Sequence, residues 1–349
     1  MLSLAITCIA LALAFEFVNG FHDSANTCAA PIYSGAMRYW PAVIMCAIFN
    51  GLGAAIVGTS VAMLITSVIP LAFVTTHLVV AALLGALSWN LYTWYHSYPA
   101  SSSHCLLGAL VGGGVAAAGI DGLNFGALEK AGIGLVTSPV FGFLVAILMV
   151  TLIHQTFRML IQKNENRNKQ QTQEARALAK KNTLPWVVIG SSAAVSFAHG
   201  SNDGQKTMGI IMLILVSQCG YDLHSGIPWW VVLVSAATMA LGTAIGGGRI
   251  IKRVGEGLSG KPMDHQEGCA AQLTTAVAVL GASHFALPVS TTHVLTSARI
   301  GAAIGNHGQS SMDKETRRVI RNMFLGWVFT FPIAAIAAYL TYELLKLAF

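Results

Sequence analysis

Charge is scarce in this sequence. Only 10% of its 349 residues are Asp, Glu, Lys or Arg, and 54% are hydrophobic, whereas a soluble domain carries about 25% charged residues. A soluble fold is therefore excluded, and the mean hydropathy of +0.64 agrees. Short alternating strands are also missing, which excludes a transmembrane barrel. The six cysteines (Cys8, Cys28, Cys46, Cys105, Cys219, Cys269) show no CxxC spacing, so they read as small apolar residues rather than a redox pair or zinc site. The net charge of +6 invites a nucleic-acid reading, but no basic patch with interleaved aromatics exists, and no nucleic acid is expected as a partner. There is no GxSxG, HExxH or Walker Lys-Ser/Thr, so neither an enzyme nor a bound cofactor is expected. The first residues carry no cationic n-region and no convincing cleavage site, so the segment from Met1 onward is expected to be a span rather than a signal peptide.

What is present is a series of apolar runs of about 20 residues, long enough to cross a lipid bilayer as helices. The expected fold is an all-α polytopic membrane protein. Spans are expected near 2–37, 40–66, 74–97, 132–160, 184–218, 228–250, 267–286 and 320–347, with shorter apolar segments at 102–119 and 291–306. Segment 158–182 is polar, charged and free of apolar periodicity, and reads as a solvated, partly helical connector. The glycine runs 112–114 and 246–248 read as places where helices approach closely.

The halves resemble each other. "FVNGFHDSANT" (17–27) aligns with "FAHGSNDGQKT" (197–207) at an offset of 180, and "PASSSHCLLGALVG" (99–112) aligns with "PVSTTHVLTSARIG" (288–301) at an offset of 189. Two motifs recurring in the same order imply an internal duplication: a first transmembrane repeat (1–160), a connector (161–183) and a second repeat (184–349). Charge then sets the topology. With the seven Lys and Arg of 158–182 cytoplasmic, sixteen of the twenty basic residues fall inside and two, Lys130 and Lys346, outside. Both termini are then outside, each repeat crosses an odd number of times, and the repeats are inverted. The segments 74–119 and 267–306 enter and leave by the same side, as re-entrant hairpins.

Five ionised side chains remain in the spans: Glu16, Asp23, Asp203, Lys206 and Arg299. Each costs about 2.5–3.5 kcal/mol at a span centre, so they should face a polar interior. Buried salt bridges that merely join helices are the plainer reading, but four of the five lie on or one turn from the duplicated motif. Asn19-Gly20 and Gly200-Ser201-Asn202 are poor helix formers, so each first helix is expected to break there, and freed carbonyls beside a carboxylate suit a small cation. Asp23 and Asp203, with Asn202, Glu16 and His22 close by, are the candidate cation or proton sites. In the second motif, Pro99 and Pro288 interrupt a span, and Ser101, Ser102, Ser103 and Ser290, Thr291, Thr292 open a new helix. Ser and Thr cap helix starts, and a capped start directs N–H groups and a positive dipole end at an anion, phosphate above all. Two inverted copies would hold one oxyanion between them. The plainer reading is a pair of caps without a ligand. His104 and His293, next to these runs, read as packing residues. Lys206 stands where the first repeat has Asn26, so a tethered ammonium replaces a neutral amide beside Asp203.

"GFHDSAN" and "GSNDGQK", with "PASSSH" and "PVSTTH", resemble the paired motifs of the PiT family of inorganic phosphate transporters, over nearly the whole chain. The resemblance implies cation-coupled phosphate symport, inverted repeats, a homodimer, and a phosphate between the hairpin helix starts. Asp23, Asn26 and Asp203 carry over by position. His22 and the Gln205-Lys206 pair depart from the usual motif and resemble the bacterial low-affinity branch, taken to be proton-coupled. The expected function is therefore a secondary importer in the bacterial inner membrane, carrying phosphate, free or as a divalent-metal complex, with protons. Its phosphate ligands would be Asn26, Ser101, Ser102, Ser103, Ser290, Thr291, Thr292 and Lys206. The alternatives are sodium coupling, a phosphate channel, and an intramembrane hydrolase or phosphatase built on His22, Asp23 and a serine.

Overall fold

A computed structural model describes residues 2–96, 98, 100–162, 169–245, 247–255, 265–308 and 314–348. These form twelve helices: α1 (Leu2–Tyr33), α2 (Tyr39–Ile56), α3 (Ser60–Thr66), α4 (Thr76–Tyr95), α5 (Ser102–Ala118), α6 (Phe125–Gln162), α7 (Lys169–Cys219), α8 (Trp229–Ile245), α9 (Gly248–Gly255), α10 (His265–His284), α11 (Thr291–His307) and α12 (Lys314–Ala348). Six of them contain a stretch long and apolar enough to cross a membrane: α1, α2, α4, α5, α6 and α12. In α7 the polar segment 199–207 divides the apolar run. Large apolar side chains stand exposed along α6 (Val140, Leu144, Leu148) and α12 (Ile336, Leu340, Leu344), an apolar surface unlike that of a soluble protein. The chain is an integral, multi-pass membrane protein.

The helices of the two halves interlock. α5 packs on α12 and α11 on α6; α1 packs on α8 and α7 on α2; α9 lies against α1 and α3 against α7. The apolar core accordingly runs through both halves, from Ala5 and Phe15 of α1 through Leu83 and Leu106 to Ile211 of α7 and Ala338 of α12.

Several expectations need correction. The first helix of each half is not broken: α1 and α7 continue straight through Asn19-Gly20 and Gly200-Ser201-Asn202. Those glycines serve contact between backbones instead. A Cβ on Gly20 would stand 2.6 Å from the Met239 carbonyl oxygen, and one on Gly200 only 1.9 Å from that of Asn50. Packing of this kind outweighs a propensity cost of about 1 kcal/mol per glycine. The backbone carbonyls thus stay within their helices, and any cation site has to be made from side chains. The single span expected over 40–66 is two helices, α2 and α3, separated at Gly58, whose φ of +110° few other residues adopt. The fourth span begins at Phe125 rather than 132, and the first ends at Tyr33. The connector is helical at both ends, as parts of α6 and α7; 163–168 lies outside the described residues, as does Pro99. Gly112 and Gly247 do sit at close approaches, 2.0 Å and 2.3 Å from neighbouring carbonyl oxygens once a Cβ is added.

Gly200→Ala should therefore cost at least about 1–3 kcal/mol, seen as loss of monodisperse protein in detergent. Gly190→Ala on the same helix, where nothing lies within 4 Å of the added carbon, should fold as well as wild type. Equal yields from the two variants would contradict the close-contact account.

Candidate functional site

α5 and α11 begin in the same way. Ser101 (φ −96°, ψ 112°) and Ser290 (φ −97°, ψ 106°) are extended N-caps. Their hydroxyls accept hydrogen bonds from the backbone N–H of His104 and His293, at 3.2 Å and 3.3 Å. The two helix starts meet: the Ser103 hydroxyl donates to the Val289 carbonyl at 2.6 Å, and the His104 and His293 rings lie 4.7 Å apart. His293 also packs on Trp327, centroids 4.1 Å apart. The two histidines pack here, as the sequence suggested.

Both aspartates are carried to this junction by α1 and α7, which run antiparallel. Asn19 Nδ2 donates to Asp203 Oδ2 at 3.4 Å, and the Thr207 hydroxyl donates to Glu16 Oε2. Ser102 Oγ, at the start of α5, lies 3.1 Å from Asp23 Oδ2 and 3.0 Å from Asp203 Oδ2. Thr292, at the start of α11, accepts from Asn26 Nδ2 at 2.8 Å and donates to Asp23 Oδ1 at 3.3 Å. Positive groups complete the cluster. Lys206 Nζ is 2.6 Å from Asp203 Oδ2. His199 Nε2 is 3.6 Å from Asp23 Oδ2 and 3.5 Å from Asp203 Oδ2. His22 bridges Asp23 Oδ1 and the Thr93 hydroxyl, 3.2 Å to each. All of these side chains are buried.

Buried polar atoms are nearly always hydrogen-bonded, yet a set of them at this junction is not. Among the described residues, Thr291 Oγ1, Lys206 Nζ, Asp203 Oδ1, His199 Nε2, Glu16 Oε1 and Asn19 Oδ1 have no hydrogen-bond partner. Lys206 touches Asp203 as an ion pair, and an ammonium with three N–H groups has donors left over for a further acceptor. Ligand atoms of Asp23, His199 and Asp203 lie within 4.8 Å of one another, close enough to hold a cation. The arrangement offers hydroxyls, helix-start N–H groups and an ammonium to an anion, and carboxylates to a cation, at one buried point.

Residues 19–338 match the model of the phosphate transporter family. The chain belongs to the phosphate transporter family. A probable low-affinity inorganic phosphate transporter of Bacillus subtilis is 37% identical over 354 residues, covering 100% of this chain and 99% of the relative. One from Rhizobium meliloti is 35% identical and covers 97% and 96%. Among solved structures, one named "The sodium-dependent phosphate transporter" superposes with a TM-score of 0.82 at 24% identity, over 99% of this chain and 100% of the other. At that identity it bears on the fold alone. Family and relatives are transporters rather than enzymes, so the intramembrane hydrolase reading falls.

Within this family member, the structure brings together Asp23, Asp203, Asn26, Lys206, His22, Ser102 and Thr292, with Thr291 alongside. Glu16 sits about two turns before Asp23 on α1, bonded to Thr207. Ser101 and Ser290 are occupied as caps and Ser103 as the link between the two helix starts. Asn202 is not part of the cluster. Its side chain donates to Ser283 Oγ and the Leu287 carbonyl and accepts from Val289 N, holding the turn before α11. Gln205 accepts from Val61 N at 2.8 Å and so caps α3. The sequence reading missed His199 and Asn19. They stand 180 residues apart, the offset at which the two motifs align, and both reach Asp203. His199 precedes Asp203 by four residues, which on a helix puts both on one face.

Removing one partner of a buried ion pair leaves the other uncompensated and costs about 3–5 kcal/mol. Asp203→Asn should therefore lower the thermal midpoint in detergent, and adding Lys206→Met should recover most of the loss. A double variant no more stable than Asp203→Asn would show that the pair is not the interaction being broken.

Proposed function

We propose that the chain is a secondary active importer of inorganic phosphate, driven by protons, in the bacterial inner membrane. Phosphate sits between the starts of α5 and α11, and the carboxylate pair beside it handles the coupling cation. The observation that carries this reading is the meeting of two Ser/Thr-capped helix starts with two aspartates, an ammonium and unpartnered polar atoms in one buried place. The anion gains helix-start N–H groups, hydroxyls and the positive dipole ends. The names of the relatives, low-affinity inorganic phosphate transporters, point to the same substrate.

Alternating access comes from two inverted repeats, α1–α6 and α7–α12. Matching caps, equal 17-residue lengths of α5 and α11, and the exchange of packing partners support the duplication. The connector 158–182 lies in the cytoplasm and both termini outside, a reading supported by the distribution of Lys and Arg. Phosphate binds Ser102, Thr291, Thr292, Asn26 and Lys206. Protons are taken by Glu16, His22 or Asp23, while the Lys206 ammonium occupies the place of one cation beside Asp203. Sodium coupling is the second reading. It is favoured by the mutual approach of Asp23, His199 and Asp203, which suits a small cation.

The experiment is phosphate uptake into proteoliposomes under separately imposed proton and sodium gradients. Accumulation against the phosphate gradient is expected with a proton gradient alone. Replacing Ser101–Ser103 or Ser290–Thr292 by Ala should raise the half-saturating phosphate concentration at least tenfold, since each hydrogen bond to a charged group is worth about 1.5–3 kcal/mol. Strict sodium dependence would replace the coupling ion. Wild-type uptake in both triple variants would remove phosphate from these helix starts.

A further inference from the structure

Arg299 is the ionised span residue that the central site does not use. It lies on α11, seven residues beyond Thr292, and therefore about 10 Å further along the helix at 1.5 Å per residue. Between the two, a narrow crevice runs between three helices. One face of each lines it: Asn26, Ala29 and Ala30 of α1, Gly268 and Gln272 of α10, Leu295 and Arg299 of α11. Its volume is about 250 Å³, open solvent at the mouth included, and it is too tight for phosphate unless the helices part. The space exists because α1 and α10 present Ala and Gly there. Asn26, which bonds Thr292 in the central cluster, is the deep end; Arg299 is only half-buried and forms the mouth.

The direction of the crevice follows from packing. α11 and α6 run parallel, since a Cβ on Gly142 would meet Val294, one on Gly301 would meet Phe143, and one on Gly305 would meet Ile147. The C-terminal half of α11 therefore points to the end of α6 from which the connector leaves. At the mouth, Glu267 of α10 lies close enough to act on the Arg299 charge, and it is held there by Asn306 at 2.6 Å.

We propose that this crevice is the route by which phosphate leaves the central site toward the connector face, with Arg299 forming a second, weaker phosphate subsite at its mouth. The inference rests on the transport reading above and extends it with a site of its own. Arg299 draws the anion out of the Asn26–Thr292 end. Glu267 competes with phosphate for the guanidinium, so the anion is not retained at the mouth. The helix-start hydroxyls bind phosphate, and the arginine releases it to one side.

The test uses proteoliposomes whose orientation is fixed by protease access to the 158–182 connector. The half-saturating phosphate concentration is measured by phosphate exchange from each face, and the readout is the ratio of the connector-face value to that of the opposite face. Arg299→Gln should raise the ratio about tenfold and Arg299→Lys by less. Glu267→Gln should lower it, because the competitor is gone. A plain structural ion pair would move Arg299→Gln and Glu267→Gln the same way, and that result, or an unchanged ratio in both, overturns the exit subsite. If Arg299→Gln does not fold, Glu267→Gln decides alone, with an unchanged or raised ratio counting against the proposal. Wild-type protein that moves no phosphate from either face would take down the transport reading as well.

Discussion

Ser102 has one hydroxyl proton and two carboxylates to satisfy. Asp23 Oδ2 and Asp203 Oδ2 lie 3.1 Å and 3.0 Å from its oxygen, and the proton can be given to only one of them at a time. Two ionised carboxylates sharing such a site repel each other, and burial strengthens the repulsion. The arrangement is stable only with positive charge alongside. Lys206 supplies one fixed charge on Asp203, and His199 stands between the two acids. In the proposed cycle the remaining positive charge arrives with the cargo, so an anion and its cations enter and leave together. Coupling of phosphate to a cation is then a consequence of how many negative groups the site already holds.

The rest of the fold serves to hold these side chains at that distance. Gly20, Gly53, Gly200 and Gly242 let α1, α2, α7 and α8 meet backbone to backbone. In lipid no hydrophobic force drives helices together, so such close contacts and buried polar bonds have to do it. Asn50 shows the polar part: it contacts His199 Nδ1 at 2.9 Å and donates to Thr243 at 2.9 Å, tying α2 to α7 and α8 around the site. Because each half packs on the other, a shift of one half changes the spacing of Asp23, Asp203 and the two helix starts at once.

Much of this was legible in the sequence, and what was not has a physical reason. The offsets of 180 and 189 paired Asp23 with Asp203 and Ser102 with Thr291 correctly, because capped helix starts and membrane carboxylates have few innocent explanations. The expected breaks at Asn19-Gly20 and Gly200-Ser201-Asn202 failed because low helix propensity is a weak, local term. Inside a membrane the same small residues are used for close helix contact. Asn202 looked like a ligand because it is polar at membrane depth, and Gln205 stood out only as a departure from the motif. Their partners, the turn before α11 and the start of α3, lie far away in the chain and only the fold reveals them. His199 carried no signal in its own motif position, although its four-residue spacing puts it on the same helix face as Asp203.

Proton coupling, as proposed, turns on Lys206 as a tethered cation in the place where the first repeat carries Asn26. Lys206→Asn restores that neutral residue, and sodium-dependent phosphate uptake at fixed pH is the measurement that bears on it most directly. Wild-type uptake should be indifferent to sodium, whereas uptake by the variant should rise with external sodium, because a mobile cation now fills the space beside Asp203. Sodium-dependent wild-type uptake, or a fully active Lys206→Asn variant still indifferent to sodium, would contradict the tethered-cation role.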